Sequence, residues 1–260
     1  MKLHFFGTCS GTRPFKDRHH VSFALEADNG IYWFDAGENC SYTAYLMGLD
    51  LTKIRAIFIS HCHMDHVGGL GNLLWNIRKV TGVEKKLPIG GDIDVFIPLK
   101  ETFDGIMAVL KNTEDNFRIP FKVVPHIVDD SLCYVSKADG VEVRAYHNHH
   151  LPHDDGDPWL SFSYVIKAGD KRIAYSGDTR LEDIPNILTE KTDVFLMETG
   201  HNDYRDVCRL IRERSLPVEK LFFIHHGKSI LPDPVSAEKE AREIFGENVF
   251  ISDDATSVTI

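Results

Sequence analysis

The chain has 260 residues, 43% of them hydrophobic, which suits one large α/β domain over 1–260 with a sizeable core. Lysine and arginine number 29 against 39 acidic residues, and the formal charge of -10 argues against a protein that grips long nucleic acid by general electrostatics. Cys9, Cys40, Cys62, Cys133 and Cys208 form no C-x-x-C pair and read as reduced thiols of a cytoplasmic protein; no apolar run is long enough for a membrane span, and Met1 to Gly7 reads as a first strand rather than a signal peptide.

Leu3 to Phe6, Val21 to Leu25 and Ile31 to Phe34 predict three strands of a meander, with Asp28-Asn29-Gly30 as the turn between the second and third. The long polar loop after the first strand carries Arg13, Lys16 and Arg18, which could meet an anionic substrate or simply face water. His19 and His20 are left unassigned. Phe34-Asp35-Ala36-Gly37-Glu38 closes the third strand in a turn.

Ala56 to Ile59 reads as a buried strand that runs into Ser60-His61-Cys62-His63-Met64-Asp65-His66-Val67-Gly68-Gly69. Three imidazoles and a carboxylate within six residues suit a borderline metal such as zinc. Alternation lets His61 and His63 face one ion, while Asp65 and His66, carried round the turn, face a second; Cys62 points away from its histidine neighbours. Leu70, Leu73, Leu74, Ile77 and Val80 then describe a helix with one buried face, broken near Gly82, whose N-terminal end favours an anion such as a phosphate or carboxylate. Val95 to Ile97, Thr102 to Leu110 and Ile119 to Val124 predict strand, helix and strand.

Val141 to Leu151 alternates as a strand and ends in His147, His149 and His150, with His153 farther on in an acidic loop. Alternation alone favours His149. Trp159 to Lys167 and Lys171 to Tyr175 form a hairpin that delivers Ser176-Gly177-Asp178-Thr179, where Asp178 in isolation could cap a helix starting near Leu181. Asp193 to Asp203 is a further strand and turn. Leu221 to Gly227 is a buried strand ending in His225 and His226, and the register of Leu221 and Phe223 favours His225 as the residue facing the site. A helix from Ser236 to Phe245, a strand from Val249 to Ile251 and a closing run complete the chain.

His61-x-His63-x-Asp65-His66 resembles the signature of the metallo-β-lactamase superfamily. The resemblance implies an α/β fold, a four-layer αββα sandwich of two halves meeting at a hydrolytic metal site. Gly7, Thr8, Gly11 and Pro14, the Asp35-Ala36-Gly37 turn and Ser176-Gly177-Asp178-Thr179 together resemble the ribonuclease Z and phosphodiesterase branch. Carried over, that pattern makes His61, His63, Asp65, His66, His150, Asp178 and His225 the metal ligands, with His149 and His226 as runners-up at their positions. Asp178 would bridge two divalent cations, zinc first, with manganese and iron accepting the same donors. Asp35 would orient a ligand histidine through a hydrogen bond. The metals would lower the pKa of a bridging water, and Asp65 would steer the hydroxide or take its proton, which makes it the catalytic residue as well as a ligand.

Two features depart from the branch. Its His-Glu-Ala-Thr motif is here Met197-Glu198-Thr199, so that His201 is the histidine left to donate a proton, unless it only caps a helix or faces water. Only 28 positions separate His150 from Asp178, which leaves no room for the long tRNA-gripping arm that bacterial ribonuclease Z inserts there. The expectation is a dinuclear metal-dependent phosphodiesterase for a small anionic substrate, a cyclic or nucleotide-like phosphodiester. The alternatives are a lactonase or thioesterase, or a metal-binding member without turnover; a homo-oligomer is compatible with all of these.

Overall fold

Runs of β-branched and aromatic residues dominate the first third of the chain, and they pair into sheet because such side chains fill a pleated, buried surface. The computed structural model describes residues 1–11, 14–84, 86–112 and 120–260. In chain order the elements are β1 (Lys2–Gly7), β2 (Ser22–Glu26), β3 (Ile31–Phe34), α1 (Cys40–Leu46), β4 (Ile54–Phe58), α2 (Met64–Val67), α3 (Leu70–Glu84), β5 (Ile93–Ile97), α4 (Lys100–Asn112) and β6 (Val123–Ile127). They continue with β7 (Leu132–Ser136), β8 (Val141–His147), β9 (Phe162–Ala168), β10 (Lys171–Tyr175), α5 (Ile184–Ile187), β11 (Thr192–Thr199), α6 (Tyr204–Glu213), β12 (Val218–His226), α7 (Pro234–Phe245), β13 (Val249–Ile251) and β14 (Thr256–Thr259).

The chain divides into two compact units, one of Met1–Gly7, Asp17–Val128 and Asp254–Ile260, the other of Thr8–Lys16 and Asp129–Asp253. In the first, seven strands are ordered β14-β1-β2-β3-β4-β5-β6. The pairs from β14 to β3 are antiparallel and those from β3 to β6 parallel. Phe23, Phe34, Phe58 and Phe96 stack in a ladder from β2 to β5, with ring centroids 4.9 to 5.0 Å apart. His126 on β6 extends the ladder at 4.6 Å. Such cross-strand aromatic pairs fix register as well as burying area. Leu70, Leu73, Leu74 and Ile77 of α3 join Trp33, Ile57 and Val95 of the sheet in one apolar cluster.

The second unit repeats the plan. Its sheet runs β13-β12-β11-β10-β9-β8-β7, antiparallel from β7 to β10 and parallel from β10 to β13. Phe195, Met197, Leu221 and Phe223 pack with Ile187 of α5, Val207 and Ile211 of α6 and Ala237 and Ala241 of α7. Asp233 caps α7, accepting from Ser236 N at 3.0 Å with Pro234 in the first turn. His61 and Asp178 come shortly after the carboxyl ends of β4 and β10, while Glu198 and His225 lie in the last residues of β11 and β12.

Several elements differ from the sequence expectation. The strand expected at Ile119 to Val124 is β6, which starts at Val123 and continues through Pro125; Ile119 lies outside the described residues, as does Arg13. Proline is tolerated because β6 is the sheet's edge. Helix α1 gives no amphipathic signal, since it buries Cys40, Ser41, Thr43 and Ala44 while exposing Tyr42, Tyr45 and Leu46. The histidine-rich run holds its own short helix α2 before Gly68, and α3 runs through Gly82 rather than stopping there. Among the described residues no helix is long and apolar enough to cross a membrane.

Candidate metal centre

The donors of the first unit are held by the turn after β3. Asp35 is fully buried and sits in the left-handed region at φ 50°, a conformation that persists only when its surroundings hold it. Those surroundings are specific. Ser60 N donates to Asp35 Oδ1 at 2.7 Å, while Ser60 Oγ and His66 Nδ1 both donate to Oδ2 at 2.8 Å. Because the Ser60 hydroxyl proton goes to Asp35, its oxygen accepts from His61 Nδ1 at 3.2 Å. Both histidines are thereby fixed in the tautomer that keeps the lone pair on Nε2, the form in which an imidazole can ligate a metal.

The rings of His61 and His63 lie 4.6 Å apart, and those of His61 and His66 4.0 Å. His61 and His66 are fully buried, whereas His63 is exposed. Asp65, in the first turn of α2, places Oδ2 3.5 Å from His66 Nε2. The backbone locks the loop to the turn, with Ala36 N donating to His66 O at 2.6 Å and Gly69 N to Ala36 O at 2.7 Å.

In the second unit Asp178 is the hub. It is 2% exposed, and its two oxygens face different imidazoles: Oδ2 lies 3.7 Å from His150 Nε2, and Oδ1 lies 3.2 Å from His225 Nδ1. His150 is set by Asn148, whose side chain accepts from His150 N at 3.2 Å and donates to Ser163 Oγ at 3.1 Å. His149 is turned elsewhere, to Asp183, through its backbone N at 2.9 Å and Nδ1 at 2.6 Å. Strand β8 ends at His147, so alternation does not extend to either histidine.

His225 reaches Asp178 through a bulge. Pairing passes from Glu198↔Ile224 to Thr199↔His226, so His225 is the extra residue, at φ 53°. Bulges next to sites commonly re-aim one side chain. His226 instead packs its Nε2 2.8 Å from Ser252 O. The register reasoning pointed to His225, but the strand does not alternate there; the bulge is what turns it.

Glu198 belongs to the same cluster and was not among the expected ligands. One ligand-type atom each from Asp178, Glu198, His201 and His225 falls within 4.8 Å of the others. Glu198 is fully buried, accepts from His201 N at 2.9 Å and from Asn202 Nδ2 at 2.5 Å, and lies 3.6 Å from His225 Nδ1. Burial pushes its carboxyl up, and the His201 and His225 imidazoles more than offset that, holding it below the usual carboxylate range. The bond to Glu198 in turn raises the His201 imidazole, whose Nδ1 stands 3.5 Å from that carboxylate. Asn202 also donates to Thr179 O at 2.9 Å, tying the Asp178 turn to the end of β11. The signal in the sequence was the acid retained at Glu198 in a motif that had lost its histidine.

Carboxylates beside imidazoles, in groups such as Asp65, His66, Asp178 and His225, are the donor types that a borderline divalent cation takes.

The family described as Anti-Pycsar protein Apyc1 matches residues 1–241. This chain belongs to that family. It is 33% identical to a ribonuclease Z of Staphylococcus carnosus over 172 residues, 65% of this chain and 50% of that protein, so it spans about half the length of this curated relative. A ribonuclease Z of Methanothermobacter thermautotrophicus is 25% identical over all of this chain and 97% of its own length. The metallo-β-lactamase fold protein YhfI of Bacillus subtilis superposes over 99% of this chain and 98% of its own at a TM-score of 0.72, with 15% identity. The fold is therefore the α/β metallo-β-lactamase sandwich, and these curated relatives are ribonucleases Z.

Proposed function

We propose that this chain is a dinuclear phosphodiesterase for a small cyclic or nucleotide-like phosphodiester, and that His61, His63, Asp65, His66, His150, Asp178 and His225 hold its two divalent cations, zinc first. The observation that carries the reading is Asp178, whose two oxygens each address a different histidine, as a bridging carboxylate requires. Two cations held there would supply Lewis acidity, making water a nucleophile near neutral pH and neutralising phosphoryl charge.

The protein's own groups do the rest. Asp65, beside His66, accepts the proton of the attacking water. Asp35 and Ser60 hold the lone pairs of His61 and His66 in register. His201, whose imidazole is raised by its bond to Glu198, donates to the departing oxygen and so replaces the histidine absent at Met197. A small substrate is supported by the acidic net charge of -10 and by the residues between His150 and Asp178, which are taken up by a loop and the tight β9–β10 hairpin.

The test is hydrolysis of bis(p-nitrophenyl) phosphate by protein loaded with zinc or manganese, followed by cyclic nucleotides and a precursor tRNA. We expect turnover of the model ester and a cyclic nucleotide, with loss of at least about a hundredfold in His63→Ala and Asp178→Ala. Turnover confined to precursor tRNA would replace the small-substrate reading. Turnover confined to lactones or thioesters would replace the phosphodiester one.

A further inference from the structure

Four donor groups of the second unit converge at the end of β11, and two of them, Glu198 and His201, have no part in the ligand set proposed above. Glu198 is fully buried, while His201 stands at the rim with its side chain 46% exposed. Among the described residues no lysine or arginine pairs with Glu198; its Oε2 faces imidazole, with His201 Nδ1 at 3.5 Å and His225 Nδ1 at 3.6 Å. Asp178 addresses the same two nitrogens, Oδ1 lying 3.2 Å from His225 Nδ1 and Oδ2 3.6 Å from His201 Nδ1. A buried carboxylate is costly unless a cation or hydrogen bonds compensate it, and two in one corner repel each other as well.

The separations have the size that a shared ion requires. Donors about 2.0–2.2 Å from a tetrahedral zinc stand roughly 3.3–3.6 Å from one another, and the four nitrogen–oxygen distances run from 3.2 to 3.6 Å. Two carboxylates and two neutral imidazoles carry two negative charges, which one divalent cation neutralises. Glu198 is held ready, because Asn202 Nδ2 donates to Oε1 and His201 N to Oε2, the kind of support that orients a ligating carboxylate. The exposed ring of His201 gives an ion its way in.

We propose that Asp178, Glu198, His201 and His225 form an inhibitory zinc site contained in the second unit. This rests on the reading of His201 as the proton donor. Zinc on His201 Nδ1 occupies the ring that would otherwise donate to the departing oxygen. Asp178 and His225 also belong to the dinuclear set, so an ion seated here draws both away from it. Zinc beyond what catalysis needs therefore stops turnover.

The test is zinc affinity, read by competition with a chromophoric chelator, in the full chain carrying His63→Ala and Asp65→Asn, which removes two donors of the first unit and leaves these four intact; Tm is measured on every variant. Adding His201→Ala should weaken zinc binding at least about tenfold, the lower end of what a lost supporting partner alone costs, and Glu198→Gln should do the same. His201→Cys, which offers a thiolate in place of the imidazole, should recover most of the loss, as a merely structural role for the ring would not. In the wild type, hydrolysis of bis(p-nitrophenyl) phosphate should fall as free zinc rises through the Kd so measured. Zinc affinity that ignores His201→Ala, or that His201→Cys does not restore, would overturn the site and leave the dinuclear reading standing. Hydrolysis undiminished at excess zinc would overturn the inhibitory role. Wild-type protein that binds no zinc would overturn the dinuclear reading and this site together.

Discussion

Asp35 organises one unit's donors without being one of them. Its carboxylate takes three hydrogen bonds, from Ser60 N, Ser60 Oγ and His66 Nδ1, and Asp35→Ala would leave those buried donors without an acceptor. We predict a tenfold to hundredfold loss of metal affinity in this variant, of the order seen when a metal ligand's supporting partner is removed, read by competition with a chromophoric chelator. Affinity equal to wild type would show that the hydrogen bonds do not tune the histidines. The paired histidines give a sharper comparison. His150→Ala should lower metal content, whereas His149→Ala, which removes a side chain turned to Asp183, should not; the reverse result in metal analysis would exchange their roles. That His61, His63, Asp65 and His66 form a cluster was readable from the chain because imidazoles and carboxylates so closely spaced are rare. Which member of each pair faces Asp178 was not, because Asn148 and the bulge at His225 decide it, and both act through contacts distant in sequence.

At the scale of elements, the step from the β3 turn to α3 depends on close backbone approach. A Cβ on Gly69 would lie 2.1 Å from Gly37 O and 2.9 Å from Ala36 O, neither of which is a flexible side chain. Gly69→Ala must push α3 away from the turn. We expect a cost of about 1–3 kcal/mol from overpacking, seen as a lowered Tm, together with weaker metal binding because Ala36 also holds His66 O. A wild-type Tm would mean that the loop has slack. Apolar periodicity revealed α3 and the parallel strands, where one face is buried and hydrophobic. It missed α1, which presents polar and small residues inward and aromatics outward, and it placed β6 too early because Pro125 reads as a strand breaker except at an edge.

For the whole molecule, acid is the expected weakness. Burial raises the carboxyls of Glu38, Asp50 and Asp193, but hydrogen bonds and charge from His20, from Lys86 and Thr52, and from Arg172 and Lys171 respectively bring each below its ordinary value. Carboxyls depressed in the folded state bind fewer protons there than when unfolded. Their stabilisation is therefore present above about pH 4–4.5 and is lost as pH falls through the lower folded values. Tm should hold near neutrality and decline below about pH 4.5; a flat profile down to pH 3 would contradict this. The thiols of Cys40, Cys133 and Cys208, pushed up to about 12 chiefly by burial, should resist alkylation at pH 8 in the folded chain, in keeping with their reading as packing residues.

The central claim is that Asp178 bridges two cations. The most direct measurement is anomalous diffraction at the zinc absorption edge from crystals of the zinc-loaded protein. The account predicts two peaks roughly 3.5–4 Å apart, with one oxygen of Asp178 on each. A single peak, or two peaks that do not share Asp178, would contradict it.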